Sequence, residues 1–249
     1  MENSVLPDWP YPRWIGHRGA GQLAPENTLA AFALGADHGY RMFECDAQLS
    51  ADEAVFLLHD ATLDRTTNGH GIAGALTWAA LSRLDAGSWH SPACAGEPLL
   101  LLASLARWCI ERTCLLNIEL KPTPGTERRT GEVVAREAAR SWADQPVPPL
   151  LTSFSAEALA GARQVAPGLP RGLLLDALHE GWLEQAQTLD CVAIVCHYPL
   201  WNATTVAQVH AAGMRCLSYT VNDASTARHL IALGTDGIIT DRVDLFQPD

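Results

Sequence analysis

The chain has 249 residues, of which 48% are hydrophobic and 18% are charged, and its formal net charge at pH 7 is −11. This length and apolar content predict one large domain over residues 1–249 with a substantial core. The acidic balance argues against nucleic acid or an anionic membrane surface as the main partner, because both would repel the protein.

Three features bear on where the protein works. No apolar run approaches the roughly 18 residues that a membrane-spanning helix needs, and Met1–Pro7 lacks the basic and apolar regions of a signal peptide. The cysteines number seven, without a close Cys-x-x-Cys pair, which fits buried, reduced thiols. We therefore expect a cytoplasmic protein without stable membrane association.

Short apolar runs alternate with helical patterns along most of the chain. The eight predicted strands comprise residues 14–17, 42–48, 115–121, 150–154, 171–175, 192–196, 215–220 and 237–240. The first helix has Asn27 or Thr28 as its N-cap and stops at Gly39. Further helices are predicted at residues 99–112, 130–143, 156–165, 181–188, 204–212 and 224–233. This alternation predicts an α/β fold, a (β/α)₈ TIM barrel.

A second type of connection is predicted between Asp46 and His59. The 12 residues between them show no helical pattern, whereas a crossover between parallel strands is usually helical. We therefore predict a hairpin that turns at residues 51–54, with its second strand outside the barrel. A register centred between Asp52 and Glu53 would place His59 directly beside Asp46.

Residues 60–98 interrupt the rhythm of strands and helices. The segment is rich in Gly, Thr, Asn and Pro and shows no sustained periodicity. Long connections without regular elements are uncommon in compact domains and are often functional. We predict a small insertion near the C-terminal mouth of the barrel.

Acidic side chains end two of the predicted strands. Glu44 and Asp46 lie two residues apart and so share one face, with Cys45 on the opposite face toward the helices. Glu119 and Lys121 share a face in the same way. Two like charges about 4 Å apart cost roughly 4 kcal/mol at an effective dielectric near 20. Bound protons, a basic side chain or a hard divalent cation (Mg²⁺, Ca²⁺ or Mn²⁺) must offset this repulsion.

An ordered set of motifs covers the chain from about Trp14 to Asp241. The motifs are His17-Arg18-Gly19, Pro25-Glu26-Asn27-Thr28, Glu44-x-Asp46, His59-Asp60, Leu63-Asp64-Arg65-Thr66-Thr67-x-Gly69 and Asn117-Ile118-Glu119-x-Lys121. Together they resemble the glycerophosphodiester phosphodiesterase family, and most closely its short cytoplasmic bacterial members. A lone His-Arg-Gly would be weak evidence, but the set in this order is specific.

The resemblance implies a small-molecule substrate and a metal-dependent reaction. Glycerophosphodiesters, the deacylated headgroups of phospholipids, would be hydrolysed to glycerol 3-phosphate and an alcohol. His17 and His59 would act as acid and base, with His17 favoured as the acid. Glu44, Asp46 and Glu119 would ligate the divalent cation.

Four further residues complete the predicted site. Arg18 and Lys121 would bind the phosphate, although Arg18 could instead pair with Glu26. Phe154 and Tyr219 are candidate walls of the pocket, or members of the core. Many relatives carry Trp at the position of Tyr219, so the headgroup preference is left open.

Three alternatives remain open at this stage. A lysophospholipase D-like enzyme would use the same fold and would need an exposed apolar mouth. An isomerase or aldolase barrel would need a Schiff-base lysine or a cage of four carboxylates. A non-catalytic barrel that binds phosphodiesters would not need two proton carriers.

Overall fold

The computed structural model describes residues 8–248, and residues 1–7, for which the sequence predicts no signal peptide, lie outside this range. The strands are β1 (Trp14–Gly16), β2 (Met42–Leu49), β3 (Val55–Leu57), β4 (Leu115–Leu120), β5 (Leu150–Ser153), β6 (Arg171–Leu175), β7 (Ala193–His197), β8 (Arg215–Tyr219) and β9 (Gly237–Thr240). The α-helices are α1 (Leu29–Asp37), α2 (Trp78–Leu81), α3 (Leu102–Glu111), α4 (Glu127–Ser141), α5 (Ala156–Val165), α6 (Trp182–Thr188), α7 (Ala203–Ala211) and α8 (Ala224–Leu233).

Parallel strands close into a barrel, as predicted. Their order is β1-β9-β8-β7-β6-β5-β4-β2, and pairing between Gly16 of β1 and Phe43 of β2 closes the ring. Helices connect the strands on the outside, so the fold is a TIM barrel. The carboxyl ends of all eight barrel strands therefore meet at one mouth.

β3 lies outside the barrel and pairs with β2 in the predicted hairpin, but the register differs from the predicted one. Ala47 pairs with Leu57, and the next backbone contact is from Leu58 N to Asp46 O, at 3.0 Å. The residue opposite Asp46 is thus Leu58. The prediction that His59 lies directly beside Asp46 in the ladder was wrong by one residue.

The turn explains this shift. Ser50 N donates to Ala54 O at 3.0 Å, Ala54 N donates to Ser50 Oγ at 2.9 Å, and Glu53 adopts a left-handed φ of 62°. Three-residue hairpin loops commonly place their last residue in this conformation. An odd loop centres the hairpin on Asp52, whereas the prediction centred it between Asp52 and Glu53.

Residues 60–98 contain only short regular elements. Besides α2, they form the 3₁₀ turns Ala73–Ala75 and Pro92–Cys94. Leu63 and Leu81 of this segment are fully buried in a small apolar cluster that includes Phe56 of β3. The segment is therefore packed against the hairpin strand.

Alternation along β2 directs the acidic residues into the barrel. Phe43 and Cys45 belong to the core between the sheet and the helices, whereas Met42 belongs to the core inside the barrel. Glu44 and Asp46 follow Met42 at a spacing of two, so they point inward at the carboxyl end of the strand. Cys45 faces the helices, as predicted.

α1 holds the loop that follows β1. Thr28 caps its first turn by accepting a hydrogen bond from Ala31 N at 3.4 Å. Gly35 packs directly on this loop: a Cβ there would lie 2.8 Å from Gly19 O and 2.6 Å from Phe43 Cε1. The absence of a side chain at residue 35 lets the helix support the loop at van der Waals distance.

The sequence predicts no membrane-spanning helix and buried, reduced cysteines. Within residues 8–248, no helix is both long and apolar enough to cross a bilayer. Cys94 is partly exposed, the other cysteines are buried, and all have free thiols.

We predict that Gly35→Ala lowers the free energy of unfolding by about 1–3 kcal/mol, because the added methyl group overpacks the contact with the loop after β1. The higher helix propensity of alanine would by itself stabilise the protein by about 1 kcal/mol. The sign of the change in the free energy of unfolding therefore distinguishes overpacking from helix propensity. Urea unfolding followed by circular dichroism measures the change. Gly168→Ala, where a Cβ meets nothing within 4 Å, is the control, and a stabilised Gly35→Ala variant would contradict the packing argument.

Candidate active site

Neighbouring strands β2 and β4 bring the three predicted metal ligands together. Glu44 lies opposite Asn117, and Asp46 lies opposite Glu119. One oxygen from each of the three carboxylates lies within 4.8 Å of the others. Glu44 is 3% and Asp46 0% exposed, so solvent screens their repulsion poorly.

The protonation of the three acids reflects this crowding. Burial, reinforced by the neighbouring carboxylates, raises the pKa of Glu44 well above its usual range and that of Glu119 to about 7. Burial also opposes ionisation of Asp46, but attraction to Arg18 and Lys121 outweighs it and lowers the pKa of Asp46. The cluster therefore retains protons near neutrality unless additional positive charge is present.

Arg18 supplies both backbone and side-chain contacts to the acids. Its N–H donates to Glu44 Oε2 at 3.1 Å, and its Nε lies 3.1 Å from Asp46 Oδ2. The pairing with Glu26 that the sequence left open also occurs, because Arg18 Nη1 donates to Glu26 Oε1 at 2.9 Å. A left-handed φ of 50° at Arg18 bends the chain after β1 so that both sets of contacts form.

Lys121 lies just beyond the end of β4, on the same face as Glu119. Its Nζ is 3.1 Å from Glu119 Oε1 and 3.9 Å from Asp46 Oδ1. Burial would lower the pKa of Lys121, but these carboxylates outweigh it and raise that pKa. Lys121 therefore stays cationic beside the acidic cluster.

The carboxylate of Asp241, the residue after β9, orients His17. His17 Nδ1 lies 2.6 Å from Asp241 Oδ1, and His17 Nε2 lies 3.8 Å from Glu44 Oε2. Asn222 holds Asp241 by donating to Oδ2 at 2.8 Å and accepting from its backbone N–H at 2.9 Å. A carboxylate on Nδ1 selects the tautomer and ring orientation of the histidine, and here it turns Nε2 toward the acids.

His59 has a similar partner in the next residue. Its Nδ1 lies 2.7 Å from Asp60 Oδ1. Burial lowers the pKa of the His59 ring, which favours the neutral imidazole at pH 7. Both histidines are thus held through Nδ1 by a carboxylate.

These groups surround two adjoining cavities. Both histidines line the inner cavity of about 200 Å³, together with Glu44 and Glu119. The outer cavity, of about 520 Å³, shares His59, Glu119 and Phe154 with it and adds Lys121. The inner cavity has room for a phosphate-sized group, and the outer one leads from it toward solvent.

The two predicted wall residues form one aromatic side of the inner cavity. The Phe154 ring meets Tyr219 edge-on, with centroids 5.9 Å apart, and Phe154 is 46% exposed. The Tyr219 hydroxyl donates to Leu175 O at 3.0 Å. Because its hydroxyl is bound to the backbone, Tyr219 presents mainly its ring to the cavity.

The acidic cluster has the donors that a hard divalent cation requires. Glu44 Oε1 and Asp46 Oδ1 are buried and make no hydrogen bond within residues 8–248. Unsatisfied buried carboxylate oxygens are costly, and Mg²⁺, Ca²⁺ and Mn²⁺ bind through such oxygens. The residues present therefore fit a divalent cation.

All seven of the polar residues singled out from the sequence converge at one mouth. They are His17, Arg18, Glu44, Asp46, His59, Glu119 and Lys121.

Sequence reasoning missed several residues that hold this group in place. Asn27 brackets Asp46, donating to Oδ2 at 2.8 Å and accepting from its backbone N–H at 3.1 Å. Asp60 and Asp241 orient the histidines, and Asn222 holds Asp241. The motif Pro25-Glu26-Asn27-Thr28 and the position of Asp241 after a strand were the available signals.

Comparisons with known proteins point to one family. The model of the Glycerophosphoryl diester phosphodiesterase family matches residues 17–245. The Bacillus subtilis protein YhdW is 32% identical over 242 residues, which cover 94% of this chain and 96% of YhdW. A glycerophosphodiester phosphodiesterase of Caldanaerobacter subterraneus is 30% identical, with 91% and 93% covered.

Solved structures agree with this match. A phosphodiesterase of Oleispira antarctica, solved in complex with its product sn-glycerol-3-phosphate, superposes with a TM-score of 0.88. It is 34% identical in sequence, and the match covers 92% of this chain and 93% of that one.

We expect Mg²⁺, Ca²⁺ or Mn²⁺ to raise the melting temperature of EDTA-treated protein by roughly 5–10 °C at saturation, because a ligand of the folded state alone stabilises it. Differential scanning calorimetry measures the shift. Glu119→Gln should abolish most of it, whereas Glu53→Gln, in the β2–β3 turn, should not. An undiminished shift in Glu119→Gln would remove Glu119 from the cation site.

The ion-free protein should lose stability as pH rises. The pKa of Glu119 is about 7 in the folded protein against an ordinary 4.5, so between these values the folded state binds more protons than the unfolded state. The free energy of unfolding therefore falls between about pH 5 and pH 8, by roughly 2–3 kcal/mol. Urea unfolding in EDTA at both pH values tests this, and Glu119→Gln should flatten the difference.

Proposed function

Because the chain belongs to the glycerophosphoryl diester phosphodiesterase family and is an enzyme of that class, we propose that it hydrolyses glycerophosphodiesters to glycerol 3-phosphate and an alcohol. One observation carries the proposal: two imidazoles, each bound through Nδ1 by a carboxylate, line a cavity that also holds an acidic cluster. The bound sn-glycerol-3-phosphate of the Oleispira antarctica phosphodiesterase supports this product.

Glu44, Asp46 and Glu119 would hold a divalent cation, Mg²⁺, Ca²⁺ or Mn²⁺. A cation held there supplies Lewis-acid stabilisation of phosphoryl charge. Two of these carboxylates are already oriented for a cation. Asn27 fixes the orientation of Asp46, and the backbone of Arg18 fixes that of Glu44. This preorganisation is what electrostatic catalysis requires.

Arg18 and Lys121 would bind the phosphate and offset the negative phosphoryl charge that the cation does not neutralise. The net charge of −11 opposes the approach of an anion, so local cations must attract it. Arg18 Nε and Nη1 face Asp46 and Glu26, so Nη2 of its guanidinium would meet the phosphate, while Lys121 acts as a point charge.

The two histidines divide the proton transfers. His59 would take a proton from the attacking hydroxyl, since the lowered pKa of its ring favours the neutral form that a base requires. His17 would donate a proton to the leaving alkoxide, and Asp241 on its Nδ1 holds the ring in the orientation for that transfer. Each ring uses Nδ1 for its carboxylate and Nε2 for the substrate.

Phe154 and Tyr219 would wall the side of the cavity that receives the alcohol or glycerol group. Their rings pack edge to face, and Tyr219 is anchored to β6 through its hydroxyl. A flat apolar wall of this kind accepts small headgroups without selecting for a particular hydrogen bond.

We predict that glycerophosphocholine and glycerophosphoethanolamine are hydrolysed and that EDTA, His17→Ala or Glu44→Ala each lowers turnover by at least roughly a hundredfold. Release of glycerol 3-phosphate, measured by a coupled dehydrogenase assay, follows the reaction. His229→Ala, an exposed histidine on α8, is the matched control and should retain activity.

Other outcomes would favour the alternative functions. Full activity in EDTA would remove the cation from the mechanism. Faster hydrolysis of lysophosphatidylcholine than of glycerophosphocholine would indicate a lysophospholipase D-like enzyme. Tight binding of glycerophosphocholine without turnover would indicate a binding barrel.

A further inference from the structure

Arg65 belongs to a motif that the proposed mechanism does not use. It lies in a turn at the start of the 60–98 segment, just after the hairpin strand. Thr67 stabilises this turn, because its N–H and its hydroxyl both donate to Leu63 O, at 3.1 and 2.7 Å. Gly69 N in turn donates to Thr67 Oγ1 at 3.0 Å. The backbone that carries Arg65 is thus held in place.

The Arg65 guanidinium binds two carboxylates at once. Toward Asp60, Nε lies 2.7 Å from Oδ2 and Nη2 lies 3.0 Å from Oδ1. Toward Glu26, Nη1 lies 2.8 Å from Oε2 and Nη2 lies 2.8 Å from Oε1. These two paired contacts use four of the five N–H donors of the guanidinium.

Each of these carboxylates leads to a different residue of the site. Asp60 Oδ1, which Arg65 binds, also lies 2.7 Å from His59 Nδ1. Glu26 Oε1, which Arg65 also binds, accepts from Arg18 Nη1 at 2.9 Å. One side chain therefore connects the base to the phosphate-binding arginine.

The exposure of Arg65 by itself predicts only a small contribution to stability. The Arg65 side chain is 44% exposed, and exposed ion pairs generally add about 0–1 kcal/mol to stability. Arg129 provides a direct comparison, because it is 45% exposed and binds both oxygens of Glu53 at 2.7 and 2.6 Å. Arg129 also binds Glu132 at 3.3 Å, so both arginines pair with two carboxylates. Those of Arg65 contact residues of the site, and Glu26, at 13%, is less exposed than Glu53, at 48%.

We propose that Arg65 is a positioning residue that sets His59 and Arg18 relative to each other through Asp60 and Glu26. The inference rests on the proposed function, since it assigns a purpose to two contacts of that site. Arg65 holds Asp60 so that the His59 ring keeps Nε2 directed at the cavity. It holds Glu26 so that the Arg18 guanidinium stays beside Asp46.

We predict that Arg65→Met lowers kcat by about tenfold to a hundredfold, the range found when groups that orient site residues are removed, and raises KM for glycerophosphocholine several-fold. Arg65→Lys should not restore kcat, because an ammonium group cannot bridge two carboxylates in this planar way. Arg129→Met, which breaks the comparable ion pair, should leave both parameters within about twofold, a change consistent with exposed pairs. Thermal melts should show both Met variants folded at the assay temperature.

The two contacts can be separated by further variants. Asp60→Asn should mainly lower kcat, and Glu26→Gln should mainly raise KM. Adding Asp60→Asn to Arg65→Met should change kcat little further, because residues in one network are not additive. Fully multiplicative effects would contradict coupling through Asp60.

A readout independent of activity separates this inference from the proposed function. Nitrogen-15 NMR of the His59 ring should show one tautomer, protonated at Nδ1, in the wild type and in Arg129→Met, and a mixture in Arg65→Met. Without turnover in the wild type, the proposed function fails while the ring spectra still test Arg65. An unchanged His59 tautomer together with kcat and KM within twofold of the wild type would overturn the role of Arg65.

Discussion

Mutual repulsion among three buried carboxylates is the constraint on which the site depends. Glu44, Asp46 and Glu119 bring oxygens within 4.8 Å of one another, where each pair of charges costs several kcal/mol at the dielectric of a protein interior. Arg18 and Lys121 offset part of this cost, and the raised pKa values of two of the acids show that a part remains. A divalent cation and an anionic substrate would complete the balance of charge.

The barrel fixes the positions of the groups around the acidic cluster, because residues far apart in the chain hold them in place. His17 and Asp241 are 224 residues apart in sequence, yet pairing of β1 with β9 makes them neighbours. His59 reaches the same mouth by a different route, two residues after β3, the hairpin strand outside the barrel. In both histidines Nδ1 contacts a carboxylate, although the two rings are carried by unrelated parts of the fold.

Sequence patterns were most informative where a residue's role depends on its own strand. The spacing of two between Glu44 and Asp46 correctly placed both on the inner face, and Cys45 on the outer face. The hairpin was also foreseen, but its register depends on how the turn closes. Glu53 adopts a left-handed φ, and nothing in a turn of this composition distinguishes a loop of three residues from one of four.

By itself, the sequence determined the alternation of strands and helices, the inward face of each acidic strand and, through its ordered motifs, the family. These features depend on local periodicity and on residue type, which can be identified directly in the sequence. Only the tertiary structure decided which carboxylate holds which histidine and that Arg65 connects Glu26 to Asp60. Such pairings depend on barrel closure and loop geometry, which bring together side chains that no spacing in the sequence relates.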